Sequence, residues 1–113
     1  MEHSMKLFKE PFDMIKNGQK TIELRLFDEK RRLVKPHDII TFSCTENKSD
    51  IIRAEVIDIH VFGSFKELYE NLPLEKCGYH KGEKADPDDM LKYYTREKES
   101  EYGVVGIEVK VIG

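Results

Sequence analysis

Apolar and polar positions alternate along four stretches of the chain, and each alternation predicts a strand. From Thr21 onward, Ile22, Leu24 and Leu26 fall on one side and Thr21, Glu23 and Arg25 on the other, so residues 21–27 read as the first of them. Ile40, Phe42 and Cys44 share a face in 39–44. In 104–112, Val105, Ile107, Val109 and Val111 oppose Glu108 and Lys110, which predicts a half-buried strand. The stretch 51–61 changes phase midway: Ile52, Ala54 and Val56 are followed by Ile57, Ile59 and Val61. Either a β-bulge near Val56-Ile57 re-aims the strand or both its faces are buried. Turn chemistry at 46–50 joins 39–44 to 51–61 as an antiparallel hairpin. Met5 to Phe8 reads as a short strand or lead-in, and residues 1–4 as a frayed extension.

Helical spacing accounts for most of the rest. Glu10-Pro11 opens a short helix with Phe12 and Ile15 on its apolar edge, and Gly18 ends it by taking the left-handed conformation. Ser64-Phe65-Lys66-Glu67 has the form of a capping box, in which a hydroxyl and a carboxylate satisfy backbone N–H groups at a helix start. Phe65, Leu68, Tyr69 and Leu72 follow at helical intervals, predicting a core-docking helix over 65–71. Leu74 to Ala85 shows no period and reads as loop. Asp86-Pro87 then starts a second helix over 87–98, with Met90, Leu91 and Tyr94 as its apolar edge. Runs of strands interleaved with helices at this length give an α+β class. No repeat or low-complexity segment divides residues 5–113, which read as one domain.

Composition narrows the partners. With 113 residues and 39% hydrophobic content the chain can bury one modest core, and no apolar run approaches a membrane span, so no membrane association is expected. The start of the chain lacks the pattern of a signal peptide, and Cys44 and Cys77 have no close-spaced partner, so a reduced, cytoplasmic protein is expected. A formal charge of −3 argues against tracking nucleic acid along a broad basic surface. The charge is uneven, however. Lys30, Arg31, Arg32 and Lys35 form a basic patch, whereas Glu83 to Glu101 is mostly acidic. The bland reading of both is a solvated surface; if RNA binds, the basic side is where to expect it.

The richest chemistry lies between Gly18 and Arg25. Glu23 and Arg25 are same-face neighbours roughly 6.5 to 7 Å apart on a strand rising ~3.3 Å per residue. Strict alternation would point Lys20 the other way, so the backbone must turn or bulge near Thr21 if all three are to meet. Lys20 and Arg25 could satisfy phosphate oxygens while Glu23 accepts from a base amino group. The alternative is a structural ion cluster, with Glu23 bracing Arg25 and Lys20 free in solvent.

The spacing Gly18, Lys20, Glu23, Arg25 resembles the G-x-K-x-x-E-x-R signature of the ASCH (activating signal cointegrator homology) family, and Tyr102-Gly103-Val104-Val105-Gly106-Ile107-Glu108 resembles the closing strand of its small bacterial members. The resemblance implies a PUA-like, partly closed β-barrel of about five or six mostly antiparallel strands with two or three flanking helices. It also implies a module that binds RNA or a nucleotide-like small molecule in a cleft beside the Gly18–Arg25 motif. The alternative it offers is an amidohydrolase of N4-acylated cytidine-type nucleosides, in which a lysine activates a threonine nucleophile and a later acid completes the set. Lys20 matches that lysine. Glu23 stands where the threonine would be and lacks its hydroxyl, Thr21 is the fallback, and Glu75 or Glu83 could be the later acid.

Remaining candidates add little. Cys77-Gly78-Tyr79-His80 offers two ligands where structural zinc needs four, and the other histidines supply no second pair, so neither metal nor cofactor is expected. Cys44 reads as a small core residue. Among the tyrosines, Tyr94 is spaced for the core, and Tyr93 is the better residue to stack on a ligand base. Gly103 and Gly106 sit within a strand pattern and read as close-packing or cleft-lining positions. Oligomeric state is not legible.

Overall fold

The computed structural model describes residues 1–113. The strands are β1 (Glu2–Leu7), β2 (Ile22–Leu26), β3 (Ile39–Cys44), β4 (Ile51–Phe62) and β5 (Val104–Val111), and the helices are α1 (Lys9–Lys16), α2 (Phe65–Asn71) and α3 (Arg96–Tyr102). The strands form one sheet in the order β1-β3-β4-β5-β2. Only β1 and β3 run parallel; the other neighbours are antiparallel. The sheet curls into a half-barrel with β1 and β2 as its free edges, which is the α+β architecture expected.

Two apolar layers lie on opposite sides of this sheet. The inner one gathers residues from every strand but β2 and from α1, with Ile40, Phe42 and Val56 fully enclosed. The outer one packs Phe65, Leu68 and Tyr69 of α2 on Ile22, Leu24 and Leu26 of β2 and on Val104 of β5. Strand β5 therefore has both faces covered from Val104 to Ile107, rather than one as its alternation predicts. Gly106 favours this: a Cβ there would lie 2.7 Å from Leu72 Cδ1 and 3.1 Å from Ile22 Cγ2, so any larger residue would make the side chains at α2's end and on β2 shift.

The bulge is where the phase change predicts it. Val56 pairs with Val109 and Asp58 with Glu108, leaving Ile57 as the extra residue. It does not bury the odd positions that follow, since Ile57 and Val61 are exposed and only Ile59 packs against the inner layer. Residues 1–4 also differ from expectation. Strand β1 starts at Glu2, pairs with Ile39 at the start of β3, and is pinned by His3 Nε2 to Asp38 Oδ2 at 2.8 Å. That hydrogen bond is the leading reason the Asp38 carboxyl is held down at about 2.

The predicted helix over 87–98 is two pieces. A 3-10 segment, Pro87–Lys92, is capped by the Asp86 side chain accepting from Asp88 N, and α3 starts afresh at Arg96 because Thr95 Oγ1 accepts from Lys98 N. Within the predicted loop 74–85, Leu74–Cys77 forms a further 3-10 turn that buries Cys77. Helix α2 forms where its capping signature places it, with Ser64 Oγ accepting from Glu67 N.

Candidate functional site

The turn after α1 places the first candidate side chain. Gly18 adopts φ +86°, Asn17 Oδ1 accepts from Gln19 N, and Lys20 N donates to Met14 O at 3.0 Å. Lys20 is thereby outside the β ladder, which begins at Ile22, so strand alternation does not govern its direction. This resolves the difficulty of bringing Lys20 onto the side of Glu23 and Arg25. Lys20 Nζ lies 2.8 Å from Glu23 Oε1, and Arg25 Nε lies 2.7 Å from Glu23 Oε2.

The cluster is buried rather than solvated. Lys20 is 8% exposed and Glu23 4%. Burial alone would raise the Glu23 carboxyl, but the flanking charges of Lys20 and Arg25 overcome it and hold the group below its ordinary range. Burial likewise opposes the charge on Arg25, and Glu23 restores it. Arg25 also donates from Nη2 to Lys6 O at 2.8 Å, tying β2 to β1 across the open seam of the half-barrel. Its Nη1 makes no hydrogen bond, and Lys20 Nζ uses one of its three N–H groups.

These residues sit in a cleft of about 580 Å³ bounded by β2, the end of β1, α1 and the segment Cys77–Tyr94. Buried Leu7, Met14, Leu24 and Cys77 supply apolar floor. Cys77 is not a ready nucleophile: burial pushes its thiol up to about 11, against the opposing pull of Lys20. One wall is a hydrogen-bonded chain in which Tyr69 and Tyr79 share a 2.8 Å contact and Tyr79 OH donates to Asp89 Oδ2 at 2.8 Å. Burial raises Tyr69 to about 12 and raises Tyr79 as well, so both remain hydroxyl donors. The chain staples the segment after Cys77 to α2. At the rim, Phe8 and Tyr93 are 58% and 53% exposed with ring centroids 6.2 Å apart.

Of the residues singled out from the sequence, Lys20, Glu23, Arg25 and Tyr93 line this one cleft. Thr21 does not; its N–H donates to Lys76 O and its carbonyl accepts from Val109 N. Glu83 reaches the cleft while exposed, its Oε1 accepting from His80 N, and Glu75 is exposed elsewhere. Tyr94 is half-buried and stacks on Phe65 at 5.9 Å, as its core spacing suggests, yet its other side also lines the cleft. Tyr79, like Tyr93 and Tyr94, could be read from the sequence as a base-stacking aromatic and Tyr69 as a helix-face residue, but their joining with Asp89 and Phe8 around the cleft carries no local signal, because three separate segments bring them together.

In the basic patch, two of the four residues make side-chain contacts within the chain. Arg31 donates to Asp28, and Arg32 lies 4.4 Å over the Phe27 ring and donates to Tyr102 O. None of its four residues lines the cleft. Cys77 is buried while His80 is exposed and bonded to Gln19. A different grouping, Asp58, His60 and Glu108, converges across β4 and β5 with its ligand atoms within 4.8 Å of one another, satisfied by a 3.1 Å contact from His60 to Glu108. No helix is long and apolar enough to cross a membrane.

Comparison with known proteins bears on all of this. The family model described as the ASCH domain matches residues 5–113. The chain is similar to hypothetical protein PH0355, known from a crystal structure, with 40% identity, a TM-score of 0.82, and coverage of 99% of this chain and 100% of that one. It is similar to Protein PF0455 from Pyrococcus furiosus, solved by NMR, with 38% identity, a TM-score of 0.74, and coverage of 99% and 98%. A mutant ZmASCH protein from Zymomonas mobilis shares the fold at 17% identity and a TM-score of 0.69, over 96% of this chain and 67% of that one. No curated protein matches the chain.

Proposed function

The chain belongs to the ASCH domain family, and from that premise we propose that it binds RNA or a nucleotide-like small molecule in the cleft beside β2. One observation carries the reading: a buried ammonium, Lys20, with two N–H groups unpaired, lines a cleft large enough for a nucleotide-sized ligand. A buried cation costs free energy unless it is paired, and Glu23 must serve both Lys20 and Arg25. An anionic or carbonyl-bearing ligand completes the coordination of both. Glu23 then acts chiefly to fix its two cationic neighbours, and Tyr93 offers a face on which a base can stack. Two buried, unbridged cysteines fit a reducing cytoplasm as the site of action.

The test is a titration of the protein with mononucleotides and short RNA, repeated with Lys20→Met, at two salt concentrations. Wild type should bind and lose affinity with salt, and the variant should bind at least about tenfold more weakly with a flatter salt response. Absence of binding to every nucleotide and RNA by a folded wild-type protein would discard the proposal.

The amidohydrolase alternative has less support. The cleft presents no threonine or serine hydroxyl, Thr21 points its backbone elsewhere, and Glu23 is neutralised by two cations. Incubation with N4-acetylcytidine should release no cytidine. Release that Lys20→Met abolishes would replace binding with catalysis.

A further inference from the structure

The cleft's polar capacity is unequal between floor and rim. Glu23, the only carboxylate among its buried lining residues, has one oxygen taken by Lys20 and the other by Arg25. Tyr69 is already bonded to Tyr79. What remains unpaired at depth is donors: two N–H groups of Lys20 and, at the less buried Arg25, Nη1. Lys20, Glu23 and Arg25 together carry a net single positive charge. Toward solvent the character changes: the exposed aromatic pair Phe8 and Tyr93 offers ring faces beside the charged rim residues Lys6, Glu10, Glu83, Lys84 and Lys92.

Resting on the nucleotide-binding reading above, we infer that this cleft takes its ligand phosphate-first: the terminal phosphate monoester of a nucleotide or of an RNA strand seats against Lys20 and Arg25, and its base stacks at the rim on Tyr93. A donor-only, singly positive floor is complementary to an oxyanion and not to a base edge carrying an amino group. Aromatic stacking accepts every base. End chemistry, not base identity, then sets affinity.

Calorimetric titration with the 5′-monophosphates of uridine, cytidine and adenosine, the three parent nucleosides, and one decanucleotide with either a 5′-phosphate or a 5′-hydroxyl tests this. Each monophosphate should bind at least about tenfold tighter than its nucleoside, the value expected for charge-assisted hydrogen bonds to a buried cation. The three bases should agree within about threefold. Preference for the phosphorylated decanucleotide would assign an RNA end, and binding of monophosphates alone a free nucleotide; either supports the inference. Tyr93→Ala, at an exposed site that leaves folding intact, should weaken all three monophosphates by a common factor of about five to fifty. Lys20→Met should erase the phosphate advantage, with its fold checked by circular dichroism. Nucleosides that bind as tightly as their monophosphates, or a base preference larger than the phosphate effect, would overturn the inference while leaving nucleotide binding intact. Failure of all eight ligands to bind would remove both.

Discussion

Residues 20–25 and 28–35 are adjacent charged stretches, and the fold treats them oppositely. The first places Lys20, Glu23 and Arg25 in a buried ion cluster; the second pairs Arg31 with Asp28 and Arg32 with the Tyr102 carbonyl, with Arg32 and Lys35 exposed. The denser run of positive charge is the more solvated one. What separates them is the hydrophobic alternation of β2, which commits Glu23 and Arg25 to a definite side of the sheet, whereas the 28–35 stretch has no such constraint. Burial then magnifies every electrostatic contact at the first cluster, while solvent mutes those at the second.

The largest expected effect comes from breaking the buried cluster. Glu23→Ala leaves two cations without their counter-ion and should lower unfolding free energy by about 3–5 kcal/mol in urea denaturation. Should the loss be under ~1 kcal/mol, the cluster would belong with the surface pairs and the contrast between the two stretches would collapse. Acid offers a second route to the same group. Because the folded-state carboxyl of Glu23 is depressed, its contribution is fully present above the unfolded value of ~4.3 and is lost as pH falls through the lower folded value. The melting-temperature gap between wild type and Glu23→Gln should therefore narrow between pH 5 and pH 2. A gap that widens in that range would reverse the sign of the shift.

Arg25→Lys retains the charge but not the fork that reaches Glu23 and the Lys6 carbonyl together. A loss of about 1–3 kcal/mol is expected, accompanied by faster amide exchange where β1 and β2 meet α1. Stability loss without any change in exchange at β1 would mean that the arginine does not hold the seam. Within the second stretch, Arg32→Ala should cost about 0.5–1 kcal/mol, from its stacking on Phe27. Lys35→Ala should stay within about 0.5 kcal/mol. Thermal denaturation of these two variants calibrates the surface end of the comparison, and a Lys35 effect as large as that of Arg25 would break it.

Legibility followed locality. The strands 39–44 and 51–61, the bulge beside Ile57, the α2 cap and the left-handed Gly18 each depend on a few consecutive residues, and each appears where the pattern predicts it. Strand β1 was harder to read because Glu2 to Ser4 are polar; the segment is ordered by pairing with β3, some 37 residues away in register. The break after Lys92 did leave a signal, in the Thr95 cap, but the apolar spacing of Met90 and Tyr94 masks it. Burial of both faces of β5 could not be read from its alternation, since it depends on α2 arriving over Gly106.

The sequence by itself determined the strands β2 to β5, where the bulge falls, and that Glu23 and Arg25 share one side of β2, because backbone periodicity and cap chemistry act over a few residues. Tertiary structure decided that Lys20 joins them, through the Gly18 turn and its bond to Met14; that Lys20 and Glu23 are buried; and that a wall of Tyr69, Tyr79 and Asp89 and a rim of Phe8 and Tyr93 flank the cluster. Those features require segments as distant as Phe8 and Tyr93 to pack together. Burial, and with it the strength and sign of each charge interaction, is a property of that packing and of no single stretch.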